Sequence, residues 1–232
     1  PELLERVSTI LTGLKASFEQ MDANNDGRLT KVEFQDGFLR AGSTLNAQQL
    51  AKLFEGLDSD GDGKVDYADW VEGLCPSRFT ELDSPIEESA FANLAKGAFA
   101  PLNAQERKQY ARMIARATRL AEHAAKRGVK LLVDAGQTYM QPAIEHLALL
   151  MMQRYNKASP IVFNTYQCYL KDAPERVQRD MDRAKLQGFV FATKAVRGAY
   201  MVQESRLAAE RGYPNPIHDS KDATHACYDA VV

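Results

Sequence analysis

Residues 22–33 read DANNDGRLTKVE and residues 58–69 read DSDGDGKVDYAD, two copies of one acidic pattern. A hard cation such as calcium takes six to eight oxygens. A 12-residue loop can offer them from positions 1, 3, 5, 7, 9 and 12, with glycine at position 6 for the sharp turn. The first copy supplies Asp22, Asn24, Asp26, the Arg28 carbonyl, Thr30 and Glu33 around Gly27. The second supplies Asp58, Asp60, Asp62, the Lys64 carbonyl, Asp66 and Asp69 around Gly63. Leu29 and Val65, at position 8 of each copy, are expected to pair in a short strand joining the loops. Asp69 is one methylene shorter than the Glu33 it matches, so it should reach an ion through a single oxygen. The first loop is therefore expected to bind calcium better, although the second carries five acids against three.

A second set of chemistry-bearing residues closes three apolar runs. Asp134 ends VKLLVD, Asn164 and Gln167 lie in PIVFNTYQ, and Lys194 and Arg197 lie in GFVFATKAVRG. In parallel βα architectures the loops at the carboxyl ends of the strands converge on one face, which is where functional residues gather. An acid, an amide pair and two cations aimed at one place can bind a polar molecule and stabilise a charge that develops on it.

The elements needed to position these residues can be read from periodicity. Ahead of Pro76, four short amphipathic helices flank the acidic loops; in the first, Leu4, Val7, Leu11, Leu14 and Phe18 fall on one stripe. A polar break at 42–46 precedes the third, which carries Leu50, Leu53, Phe54 and Leu57. A long helix is predicted behind Asn103 as N-cap, with Met113, Ala117, Leu120, Ala121 and Ala124 inward and a stop at Gly128. The three apolar runs begin near Val129, Ile161 and Phe189, each followed by a helix, the repeat length of a βα unit. Continuously apolar strands suit a parallel sheet covered on both faces, leaving an open doubly wound sheet or a (β/α)8 barrel. The expected organisation is a calcium-binding module over 1–76, a linker over 77–102 containing Pro85, Gly97 and Pro101, and a βα region over 103–232.

Composition excludes several classes. A net charge of -2 provides no basic field for nucleic acid. Cys75, Cys168 and Cys227 are far apart and odd in number, which argues against a disulfide framework or a zinc site. No apolar run has the length of a membrane span. His218, His225 and Asp222 are too few for a metal centre, and no GxGxxG follows any strand.

Three segments, LLVDAGQTYMQPAI, FNTYQCYL and KAVRGAYMVQE, resemble in order and spacing those of the proline dehydrogenase family, in particular the mitochondrial animal type that carries an EF-hand pair. The resemblance implies a partial (β/α)8 barrel behind an all-α EF-hand module. It also implies an FAD enzyme that oxidises L-proline to 1-pyrroline-5-carboxylate and passes electrons to a quinone on the matrix side of the inner mitochondrial membrane. By the same resemblance Asp134 and Lys194 are the catalytic residues, and Ala135, Asn164, Gln167, Arg197, Gly198 and Ala199 line the flavin, with Asn164 favoured over Gln167 for the ring. Tyr200 is placed at the substrate pocket. Gly136 and Ala195 depart from the family's usual glutamate and leucine. Three strands do not close a barrel, and the family's substrate-clamping lysine and carboxylate-binding arginines have no counterpart here, so the chain is expected to be an internal fragment, inactive alone. The alternative is a calcium-binding regulatory module whose βα half is only a scaffold.

Overall fold

The computed structural model describes residues 2–43, 45–74 and 102–232. The expected linker, apart from Leu102, lies outside the described residues, as do Cys75 and Pro76. The chain forms two compact units, Pro1–Met113 and Ile114–Val232.

In the first unit α1 (Glu2–Met21), β1 (Arg28–Thr30) and α2 (Lys31–Arg40) are followed by α3 (Ala47–Leu57), β2 (Lys64–Asp66) and α4 (Tyr67–Leu74). The two middle helices start where their sequences carry capping boxes, Thr30 with Glu33 and Asn46 with Gln49, each pair satisfying two backbone donors that a helix start leaves open. The α1 stripe buries Val7, Leu11, Leu14 and Phe18. It meets an aromatic cluster in which Phe34 and Trp70 lie edge to face at 6.2 Å and Phe34 and Phe54 at 5.4 Å. Trp70 is fully buried, and its indole N–H donates to the Leu14 carbonyl at 3.0 Å, so the largest side chain leaves no polar atom unpaired. β1 and β2 are antiparallel with Leu29 opposite Val65, the pairing expected from position 8 of the two loops.

A long helix, α5 (Ala104–Arg127), starts at Asn103, whose Oδ1 accepts from the Gln105 and Glu106 amides at 2.9 Å each. Gly128, at φ +65°, ends it. Its inward stripe runs through buried Tyr110, Ala121 and Ala124 and half-buried Ile114 and Ala117. Leu120, expected inward, is 62% exposed: it follows Ala117 by three residues but precedes Ala121 by one, a 100° turn away from the true stripe.

In the second unit β3 (Leu131–Val133), α6 (Gln141–Tyr155), β4 (Val162–Gln167), α7 (Ala173–Leu186), β5 (Thr193–Val196), α8 (Met201–Arg211) and α9 (Lys221–Val231) alternate. The three strands are parallel in the order β3-β4-β5, so each pairs with the next and no reversal of order occurs among them. Helices cover one face of this sheet: Ala121, Leu149, Leu150, Met151, Met152, Val162, Ala184 and Phe189 form one buried cluster. Burial on both faces was expected; the other face instead exposes Leu132 by 48% and carries Thr165, Lys194 and Gln167.

The third strand begins at Thr193, later than the apolar run that announces it. Within the stretch 189–192, Val190 is held by Asn156, which sequence periodicity did not single out. Its buried amide donates to the carbonyls of Val162 (2.8 Å) and Val190 (3.0 Å), while Oδ1 accepts from the Ile161 and Val162 amides at 2.9 and 2.8 Å. One side chain thereby ties the start of β4 to the approach to β5.

Candidate functional site

Paired residues of neighbouring strands project to the same face of a sheet and successive residues to opposite faces. The register places Val133, Asn164 and Thr193 in one row and Tyr166 with Ala195 in another. These rows face the helices, because Val162 belongs to the buried cluster and the Tyr166 hydroxyl donates to Asp180 Oδ2 of α7 at 2.7 Å. The opposite face presents Leu132 with Phe163, Thr165 with Lys194, and Gln167 with Val196. One residue beyond β3, Asp134 continues the row of Thr165 and Lys194.

Here the structure brings two predicted residues together. Lys194 Nζ lies 2.5 Å from Asp134 Oδ1, across 60 residues of sequence, with the Asp134 side chain 81% exposed and that of Lys194 36%. Gln167, on the same face, is fully buried; its Nε2 donates to the Gly136 carbonyl at 2.7 Å and to the Tyr169 hydroxyl at 2.8 Å. Its Oε1 has no hydrogen-bond partner among the described residues, nor has Thr165 Oγ1. Asn164 and Thr193, on the helix-facing side, also carry buried side-chain atoms unpaired among the described residues, so the mark of this face is the exposed Asp134–Lys194 pair with polar groups beside it, a setting that suits a polar ligand.

The remaining predicted residues lie apart from that pair. Asn164 is buried on the helix-facing side with Tyr166. Arg197, one residue past β5, turns to α9: its Nη1 is 3.3 Å from His225 Nδ1 and its guanidinium lies 4.6 Å from the Tyr228 ring centroid. Gly198 and Ala199 are exposed in the turn that leads into α8, and a Cβ at Gly198 would meet only Met201 Sδ at 3.6 Å, so packing does not require glycine there. The Tyr200 amide donates to the Tyr169 hydroxyl at 3.4 Å. Ala135 is half-buried between Asp134 and Gly136. A Cβ at Gly136 would lie 2.7 Å from the Ile144 methyl tip, so the glutamate usual in the resembled motif would need Ile144 to shift. Tyr169, not anticipated from sequence, bridges the β4 and β5 ends; burial raises its pKa and keeps the phenol a neutral donor and acceptor.

The acidic loops form the second site. Gly27 and Gly63 take φ +78° and +80°, the left-handed turn that position 6 requires. In the first loop Asp22 accepts from the Asp26 and Gly27 amides at 3.1 and 2.8 Å, and Asp26 from the Arg28 amide at 2.9 Å. Asn24 Oδ1 accepts from Asp26 N at 2.9 Å, and the Glu33 carboxylate accepts from the Thr30 amide and hydroxyl at 2.9 and 2.8 Å. In the second loop carboxylate oxygens of Asp58, Asp60 and Asp62 all lie within 4.8 Å of one another, the one such cluster of acids, histidines or cysteines among the described residues. Such convergence suits a hard divalent cation. Asp69 is engaged by Ser59 Oγ and the Asp66 amide, and Asp66 accepts at the Asp69 amide from across the turn. Burial, reinforced by Asp66, lifts the Asp69 carboxyl to about 6. The loops also exchange charges: Arg28 Nη1 lies 3.1 Å from Asp62 and Lys64 Nζ 3.5 Å from Asp26.

With this geometry in place, comparison with known proteins narrows the reading. The model of the proline dehydrogenase family matches residues 18–232. Proline dehydrogenase 1, mitochondrial, of Caenorhabditis elegans is 34% identical over all of this chain and 38% of its own length. The protein of the same name from Homo sapiens is 36% identical over 98% of the chain and 39% of its own length. The chain thus spans about two fifths of the curated relatives it matches. Among solved structures, proline utilization A from Bdellovibrio bacteriovorus, inactivated by N-propargylglycine, aligns with 55% of the chain and 13% of its own, with a TM-score of 0.49 and 22% identity.

Proposed function

This chain belongs to the proline dehydrogenase family, and we propose that it forms part of an FAD-dependent enzyme that oxidises L-proline to 1-pyrroline-5-carboxylate. The observation that carries the reading is the 2.5 Å contact of Lys194 with Asp134 on the sheet face that also holds Gln167. When bound, FAD supplies the acceptor for the hydride that leaves the ring carbon beside the proline nitrogen. Lys194 would set a positive charge where negative charge accumulates during that transfer. Asp134 would hold the ammonium in place, and the open Gln167 Oε1 would accept from a ring N–H of the isoalloxazine. Gln167 suits that contact better than Asn164, which faces the helices. Arg197, Gly198 and Ala199, in the exposed turn, and Ala135 are assigned to the edge of the cofactor site, with Tyr200 at the edge of the proline pocket.

Calcium at the two loops belongs to the same proposal, with Asp22, Asn24, Asp26, Arg28, Thr30 and Glu33 in one site and Asp58, Asp60, Asp62, Lys64, Asp66 and Asp69 in the other. The converging carboxylates of the second loop support it. In this reading residues 1–76 are an EF-hand pair and 103–232 an arc of a (β/α)8 barrel. Electrons pass to a quinone at the matrix face of the inner mitochondrial membrane. No helix among the described residues is long and apolar enough to cross a membrane.

The test uses the protein at the full length of its relatives. A flavin absorbance spectrum together with proline-dependent reduction of a soluble quinone is the expected result. A colourless protein that ignores proline overturns it.

A further inference from the structure

The loop from Asp134 to Met140 carries the predicted acid, yet within itself it has few restraints. Beside the Asp134–Lys194 pair, it is held from outside at Gly136 and at Thr138. The Gly136 carbonyl accepts from Gln167 as described, and the Gly136 amide donates to Gln141 Oε1 of α6 at 2.9 Å. The Thr138 restraint comes from 66 residues away in sequence: Glu204, in the first turn of α8, accepts the Thr138 amide at 2.7 Å through Oε1 and the Thr138 hydroxyl at 2.6 Å through Oε2. Glu204 is 1% exposed. A carboxylate so far out of water stays there only when its oxygens are occupied, and both are given to one residue of this loop. Its place in the first turn of a helix adds the favourable end of the helix dipole.

We propose that Glu204 is a positioning residue for the strand-end site, fixing the 134–140 loop so that Asp134 meets Lys194. The inference rests on the proline dehydrogenase reading of that site. Glu204 follows β5 by way of Tyr200, and Tyr200 contacts Tyr169, which in turn holds Gln167. The three strand ends are therefore joined by one set of hydrogen bonds: β3 through Gly136 and Thr138, β4 through Gln167 and Tyr169, β5 through Tyr200 and Glu204. Of these, only the Glu204 carboxylate reaches the loop beyond Gly136; without it the residues around Thr138 lose their tie to the β4 and β5 ends and can pivot about Gly136. Displacement of a catalytic group by about 1 Å is enough to cost roughly 100-fold in rate.

The test compares Glu204→Gln, Thr138→Val and Thr138→Ser in the full-length, flavin-loaded protein. Glutamine presents an N–H2 where one oxygen accepted, valine deletes the hydroxyl at nearly constant shape, and serine restores it. Hydrogen exchange of the peptide spanning 134–140 should quicken about tenfold or more in the first two variants and stay near wild type in Thr138→Ser. In the same two variants kcat per bound flavin should fall about 10- to 100-fold while KM for proline moves less than about threefold. Wild-type exchange across the loop, or kcat per flavin kept within about twofold, overturns the proposal. If Glu204→Gln does not fold, Thr138→Val decides through the same two readouts. If the wild-type protein proves inactive on proline, the functional reading falls, and the exchange rates alone decide whether Glu204 fixes the loop.

Discussion

Replacing Lys194 with methionine separates catalysis from stability, because the structure assigns the lysine little of the latter. Its ion pair with Asp134 is close, at 2.5 Å, but the carboxylate side chain is 81% exposed and the lysine 36%. Pairs in that setting contribute about 0.2–1 kcal/mol. Methionine keeps the unbranched stem, so the packing of the aliphatic part against the sheet survives. Against a folding free energy of order 5–15 kcal/mol, such a loss leaves the protein folded and moves its melting temperature by at most a few degrees. Catalysis is a different matter. Removing one preorganised positive group from the place where negative charge develops costs about 3–4 kcal/mol, or 100- to 1,000-fold in kcat. The two quantities differ by a factor of three or more in free energy, so one variant can tell them apart. The assay is proline-dependent quinone reduction per bound flavin in the full-length protein, beside a thermal melt. A variant that stays within about threefold of wild-type kcat refutes the role given to Lys194. So does a melt so depressed that unfolding alone accounts for the lost rate.

Three further outcomes follow from the same structure. Burial and the neighbouring Glu145 push Asp180 up to about 6 from 3.8, so the folded protein holds this proton more tightly than the unfolded chain; the associated stability is present near pH 4 and lost as pH rises through about 6. Asp180→Asn keeps an acceptor for Tyr166 and should flatten the pH dependence of melting between about pH 4 and 6 by about 1–3 kcal/mol, whereas an unchanged profile contradicts the assignment. Asn156→Ala strands four backbone groups around β4 and the approach to β5, and urea unfolding should record a loss of about 3–5 kcal/mol; less than about 1 kcal/mol would show that water replaces the amide fully. Asp60→Ala removes one of three converging carboxylates, so calorimetry should find one calcium site weakened by about tenfold or more and the other retained, and two unaltered sites would exclude the second loop as a binding site.

Much of this was legible from residue order, and the parts that were not share a cause. The loops announce themselves because each demands glycine at a left-handed position and oxygens at fixed offsets, and Gly27 and Gly63 indeed adopt that turn. Asn103 marks its helix because a cap is a local device. Asp134 and Lys194, which the structure brings into contact, stand out in the sequence because strand ends are where polar residues interrupt apolar runs. Residue order is silent where a side chain's direction depends on a phase that apolar runs do not set. In β4 every residue from Asn164 to Gln167 is buried, so hydrophobic alternation is silent and the choice between Asn164 and Gln167 waits on the register with β3 and β5. Leu120 failed for the same reason on a helix. Asn156 and Glu204 act only through partners that the fold supplies, so no local pattern could reveal either.

The alternation of β4 also explains why one strand can serve two purposes with opposite electrostatics. On the helix side Tyr166 meets Asp180, Arg179 bridges Asp180 and Glu145, and Arg176 grips Glu145 at 2.5 Å, all in a buried network in which the two acids and two arginines balance. Removing one member of such a network leaves an uncompensated charge in the interior, which makes it rigid and intolerant of change. On the other side the charges are Asp134 and Lys194, the acid largely exposed, and the buried polar oxygens of Thr165 and Gln167 have no partners among the described residues. Stability does not account for that second arrangement: an exposed pair contributes little, and unpaired buried oxygens count against the fold. Buried side-chain atoms unpaired among the described residues occur on the helix side as well, at Asn164 and Thr193, so what sets the second face apart is its partly exposed ion pair and not its open oxygens. The sheet thus carries a buried charge network on one face and a partly exposed ion pair on the other, separated by a single residue step along β4.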